Sequence, residues 1–276
     1  MSDFFDYCFF QGSNPVAGRN TLYGWIHLRT AHANNRGNNF PLATRALKGW
    51  AKKCPGGSRD PLPFAVLCLL GKWWIANGFE MVAAAALLAF DLYTRPQETL
   101  SLRHGDVYPP QGFGGRSFRG RWTVVVAPLE SGRTTKTGDT DNSIEAGGRV
   151  RGFVRELLHA LRDGSRKQQH IFGFTLPFFE AAFRKGIAAL GLEALRITPH
   201  CLRHGGPSHD AWLGVRSLDE IQKRGQWSCK KSVRRYEKHG RLLRQLSLVP
   251  AHLRPQLQSA EKNFPAVLIA AVQNST

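Results

Sequence analysis

The chain is expected to fold as a mainly α-helical domain with one small antiparallel β-sheet in its first half. Apolar residues recur at helical spacing: Leu67, Leu70, Trp73 and Trp74 share one face, and Met81, Leu87, Leu88 and Leu92 share another. Strand character is confined to residues 121–138, where a β-branched stretch runs into a polar, Gly-rich turn. The remaining apolar residues again fall at helical spacing.

Residues 1–60 are rich in Gly, Asn and Arg, and only one short helix is expected there, at 43–53, ended by Pro55-Gly56-Gly57. The rest of this region reads as loosely folded and mostly not helical, with 58–63 as a linker. Two apolar core helices follow, at 67–74 and 81–92. Residues 98–102 form a short helix, closed by His104-Gly105-Asp106. A strand is expected at 121–128, then a turn and a second strand over 131–138. Helices are expected at 150–162, 177–190, 202–213, 217–224 and 229–238, with a helical tail from 252 onward. No internal repeat is apparent.

A length of 276 residues leaves room for one large domain or two modest ones. Asp3 and Asp6 stand where a secretory signal carries positive charge, and the apolar run at 81–90 is too short to span a membrane. The five cysteines, Cys8, Cys54, Cys68, Cys201 and Cys229, are odd in number and contain no C-x-x-C pair, which argues against a disulfide framework or a structural zinc site. A reducing compartment and no membrane partner are therefore expected. Thirty-eight Lys and Arg against twenty Asp and Glu give a formal charge of +18, which points to a polyanionic partner. The excess peaks between Arg216 and Arg244, where ten basic residues face three acidic ones.

That basic segment brackets residues with a chemistry of their own. His200-Cys201-Leu202-Arg203-His204 is followed by Trp227 and Tyr236, while Thr94-Arg95-Pro96-Gln97-Glu98 lies upstream and Lys136 stands in the polar turn. Opening a phosphodiester without a metal needs a nucleophile, cations on the non-bridging oxygens and an acid for the departing 5′ oxygen. The phenol of Tyr236 ionises far more readily than an alkyl alcohol. Arg95 and Arg203 can fork two phosphate oxygens. His200 lies three residues before Arg203 and can accept a proton or bond the phosphate, the Trp227 indole can only donate, and Lys136 suits the role of acid.

In order and spacing these residues resemble the tyrosine recombinases and their relatives, the type IB topoisomerases. The pattern is Arg95 with Glu98 three residues on, then Lys136, His200-x-x-Arg203, Trp227, and Tyr236 nine residues after the tryptophan. Residues 221–227 also look like the family's helix and turn before the tryptophan. The resemblance covers about 62–244 and implies a catalytic domain at 61–250, preceded at 1–60 by a short, incomplete core-binding-like region and followed at 251–276 by an apolar tail that either covers its own core or is exchanged between protomers. It further implies DNA cleavage and rejoining through a 3′-phosphotyrosine, double-stranded DNA as partner, a tetramer on synapsed sites, and no cofactor, metal or nucleotide. Lys223, Arg224, Lys230, Lys231, Arg234 and Arg235 are expected to contact the DNA backbone. Pro96, directly after Arg95, and Tyr93-Thr94, where the family often has Thr-Gly, depart from the pattern.

Each member also has a plain reading: Arg95 as a helix-end cation, Trp227 as a core aromatic, Tyr236 as a surface ring, Lys136 as a solvated turn residue. His204 reads as a core histidine supporting Arg203, and His200 with His204 lacks the further ligands a zinc site needs. Gly112, Gly114 and Gly115 form a Gly-rich loop without the G-K-S or G-K-T of a nucleotide site. A catalytically silent DNA-binding relative and a topoisomerase-like enzyme remain as alternatives. The nucleus is the favoured compartment, with the cytoplasm expected for a bacterial source.

Overall fold

A computed structural model describes residues 1–28, 40–54, 60–110, 121–135, 138–148 and 150–275. The chain divides into two compact units, Met1–Ser58 and Arg59–Thr276.

Among the described residues the first unit contains three helices, α1 (Ser2–Phe10), α2 (Pro15–Leu28) and α3 (Pro41–Lys53), around a core of Phe5, Cys8, Leu22, Ala43, Leu47 and Trp50. Only α3 was expected, so the reading of this region as mostly not helical is corrected. The missed helices bury few residues each. In α1 these are Phe5 and Cys8, and in α2 they are Pro15, Gly18 and Leu22. Gly18 leaves a notch for Trp50, whose ring would lie 2.6 Å from a Cβ there. A contact made by glycine leaves no mark in a hydrophobic pattern.

The second unit is built around α4 (Phe64–Ala76) and α5 (Glu80–Leu92). Every residue of α5 from Val82 to Leu92 is buried, as befits a central helix that is apolar all round. The long last helix, α13 (Arg254–Ser275), lies on α4 and buries Ala260, Phe264, Leu268 and Val272, spaced four residues apart along one stripe. Its Phe264 ring fills the notch at Gly71, where a Cβ would come within 2.2 Å. Of the two arrangements open for this tail, covering its own core or exchange with a neighbouring protomer, the single chain shows the first.

A three-stranded antiparallel sheet runs in the order β1 (Val107–Tyr108), β2 (Thr123–Val126) and β3 (Asn142–Glu145), with Val124 opposite both Val107 and Ile144. The expected second strand at 131–138 is corrected to 142–145. The intervening chain makes a 3₁₀ turn at Leu129–Ser131 and a turn in which Gly138 N–H donates to the Thr135 carbonyl at 2.9 Å. Lys136, Gly112, Gly114 and Gly115 lie outside the described residues.

Helix α6 (Pro96–Leu100) follows α5, and α7 (Val154–Leu161) and α8 (Leu176–Ala189) come after the sheet. Then α9 (Leu202–Trp212), α10 (Leu218–Arg224), α11 (Lys230–Val233) and α12 (Gly240–Ser247) bring in the residues singled out above. Instead of one helix over 229–238, α11 stops at Val233 and tightens into a 3₁₀ turn, Arg234–Glu237, which carries Tyr236. Helix α9 sits close on α5 because Gly205 and Gly206 present no side chains, and a Cβ on Gly206 would lie 2.0 Å from the Phe90 carbonyl. Among the described residues, no helix is long and apolar enough to cross a membrane.

Candidate functional site

Arg95 is the N-cap of α6, with Pro96 in the first turn where its missing N–H costs nothing. The Arg95 backbone N–H donates to Glu98 Oε2 at 2.7 Å, and its guanidinium pairs with Glu98 Oε1. Pro96 therefore does not disturb the presentation of Arg95. It helps set the turn that lets Glu98 hold it. Just upstream, Tyr93 ends α5 in the left-handed region at φ 57°, a conformation more usual for glycine.

Arg203 lies in the first turn of α9 with its side chain 7% exposed. Its guanidinium donates to the carbonyls of Tyr93 and Gly225, the latter at 2.7 Å, and its Cζ lies 4.9 Å from the centre of the Trp227 ring. Glu98 Oε2 is 3.8 Å from Arg203 Nη1, so one carboxylate serves both arginines. Burial first, and then the charge of Arg95, lower the proton affinity of Arg203, yet arginine stays charged. Two cations against one carboxylate leave positive charge, as a phosphate site requires.

Tyr236 is 2% exposed and packs its ring 5.1 Å from that of Trp227. Its phenol bonds His204 Nδ1 at 3.0 Å. Burial pushes the phenol up to about 12, against the lowering charges of Arg203, Arg235 and Arg241. The neighbouring cations favour ionisation, but desolvation outweighs them. The imidazole on the phenol is that of His204, read from sequence as a supporting residue. His200 belongs to the preceding 3₁₀ turn, Pro199–Cys201, and its ring lies edge-on to His204 at 5.4 Å. Arg95, Arg203, Trp227 and Tyr236 are thus joined through shared partners, with Glu98 and His204 among them and His200 beside His204.

Behind Arg203 lies a buried ionic network that sequence reasoning missed. Arg151, 1% exposed, donates to Asp91 Oδ1 at 2.7 Å and forks Asp210 at 2.7 and 3.0 Å. Asp210 also accepts from the Tyr93 hydroxyl and from Arg216. Burial alone would raise both carboxyls, but Arg151 and Arg224 at Asp91, and His209, Arg151 and Tyr93 at Asp210, hold them below the usual range. The network fixes Tyr93, whose carbonyl anchors Arg203. Its one sequence signal was Asp91 in an apolar run, since a buried aspartate needs a cation.

Arg224 belongs to that network, which corrects its expected role on DNA. Its side chain is 9% exposed and its guanidinium is committed to Asp91 and to the backbone carbonyls of Asp91 and Glu145. Lys223, Lys231 and Arg234 are exposed, Arg235 is half-buried, and the exposed Lys230 pairs with Asp219 at 2.8 Å. Lys136 lies outside the described residues. The chain matches no protein-family model and no curated protein, so any functional reading rests on its own residues and their arrangement.

Proposed function

We propose that the protein cuts and rejoins DNA through a 3′-phosphotyrosine at Tyr236, as a recombinase or integrase of the kind carried by mobile elements. The observation that carries this reading is the convergence of Arg95, Arg203, Trp227 and Tyr236 from four separate segments of the chain. Trp227 and Tyr236 share an apolar cluster with Tyr93, Ile221 and Val233, so what supports the reading is that two arginines and a histidine gather on it. In the proposed reaction Arg95 and Arg203 hold the non-bridging oxygens of the scissile phosphate and Trp227 adds an indole N–H. Tyr236 attacks phosphorus, and the 5′ oxygen leaves with a proton from Lys136. The aryl ester keeps the backbone's bond energy for a second 5′ hydroxyl to use.

Duplex DNA is the proposed partner, with Lys223, Lys231, Arg234 and Arg235 on its backbone, and a tetramer on two synapsed sites is the proposed assembly. The nucleus is the proposed compartment, or the cytoplasm for a bacterial source. A second reading, a DNA-binding relative without turnover, is favoured by the 2% exposure of Tyr236. Covalent capture separates the two: an adduct dependent on Tyr236 supports the enzyme, and salt-sensitive binding without an adduct supports the binding protein. Relaxation of any supercoiled duplex by a monomer, with no need for paired sites, would identify a topoisomerase-like enzyme instead.

A further inference from the structure

We propose that His204 is the base that takes the proton of Tyr236 when the strand is cut and returns it when the strand is resealed. The proposal rests on the reading of Tyr236 as nucleophile. Its ground is the 3.0 Å contact between His204 Nδ1 and the phenolic oxygen, which lets Nδ1 accept when the ring hydrogen sits on Nε2. His204 directly follows Arg203 in α9, so one rigid element presents both the phosphate clamp and the base.

The groups around His204 suggest how its basicity is timed. Burial, and then the charges of His200, Arg235, Arg203 and Arg241, push the imidazole down to about 3, so it is neutral and able to accept at any working pH. The same positive field makes it a weak base in the free protein. A DNA phosphate docked on Arg95 and Arg203 brings negative charge that offsets this field, and the proton affinity of His204 rises as Tyr236 must ionise. In cleavage the Tyr236 O–H bond breaks and an N–H bond forms on His204. The phenolic oxygen bonds phosphorus, and the P–O5′ bond breaks with its oxygen protonated by a separate acid. Resealing reverses each transfer.

The test is single-turnover cleavage of a nicked duplex by the full chain, comparing wild type, His204→Gln and His200→Gln, with Tyr236→Phe as the blank. His204→Gln is expected to bind DNA as wild type does and to cleave about 10²- to 10⁴-fold more slowly. Its rate should keep rising with pH as hydroxide replaces the imidazole, and 3-fluorotyrosine at position 236, an easier acid, should recover more rate there than in wild type. Cleavage by His204→Gln within about threefold of wild type, with the same pH profile, overturns the proposal while leaving Tyr236 as nucleophile. Absence of any Tyr236-dependent adduct in wild type overturns the nucleophile reading and this proposal with it. Should His204→Gln not fold, titration of the His204 ring by NMR in Tyr236→Phe decides: a pKa that rises when duplex binds is expected, and an unchanged one overturns the proposal.

Discussion

The guanidinium of Arg203 lies over the ring of Trp227 at 4.9 Å, while its N–H groups are held by the carbonyls of Tyr93 and Gly225. The face and the fork are both satisfied by planar geometry, which lysine cannot reproduce. Arg203→Lys should therefore lower cleavage by about 10²- to 10³-fold. The buried carbonyls left without donors should lower stability by about 1–3 kcal/mol. Gel-shift affinity should fall far less than the rate. Equal losses in affinity and rate would place Arg203 in general DNA binding.

Two arginines of the same basic run should behave differently. Arg234→Ala removes an exposed charge and should leave the melting temperature unchanged while reducing the salt slope of DNA binding by about one. Arg224→Ala uncovers Asp91 and should cost about 3–5 kcal/mol in denaturant unfolding, the usual cost of breaking a buried pair. The charge run itself was legible in the sequence. The inward turn of Arg224 was not, because it depends on Asp91, 133 residues away, and on the Glu145 carbonyl.

Arg151→Ala removes the one cation shared by Asp91 and Asp210, leaving only Arg224 on the first and Arg216 on the second, and should cost about 3 kcal/mol. Cleavage should fall with it, because Asp210, the partner of the Tyr93 hydroxyl, is then held by Arg216 alone and the Tyr93 carbonyl that anchors Arg203 is less well fixed. Circular dichroism melts and cleavage rates on the same preparation check both effects. Native-like stability in Arg151→Ala would mean that the network does not hold the site.

Stability should fall with acid in two stages. An unfolded histidine binds its proton near pH 6.5, whereas His204 resists until about 3. Between those values the unfolded chain holds the extra proton, so stability rises with pH there by up to about 1.4 kcal/mol per pH unit. The contribution is complete above about pH 6.5 and lost as pH falls toward 3. Asp91 and Asp210, both depressed, act lower down: their contribution is present above the ordinary carboxyl range and disappears as acid protonates them in the fold. Urea titrations from pH 3 to 7 should show the first slope in wild type and a flatter one in His204→Gln.

Much of this was visible from local sequence. Most helices of the second unit follow periodicity, although α12 at Gly240–Ser247 was not expected and the helix over 229–238 breaks at Val233. What escaped depends on contacts between distant residues. Pro15, Gly18 and Leu22 form a helix face only once Trp50 fills the notch. Strand β3 is identified by its register with β2, whereas the Gly-rich turn before it drew the expectation too early. His200 and His204 differ because the helix begins at Leu202: His200 lies in the 3₁₀ turn before it, and His204 is on the regular helix facing Tyr236.

The central claim is that Tyr236 becomes bonded to DNA. Nicked, radiolabelled duplexes of varied sequence, incubated with the protein and then denatured, should yield label that migrates with wild type and is absent with Tyr236→Phe, although both bind the duplex. A protein-linked label that persists in Tyr236→Phe, or salt-sensitive binding with no label on either protein across all duplexes, would contradict it.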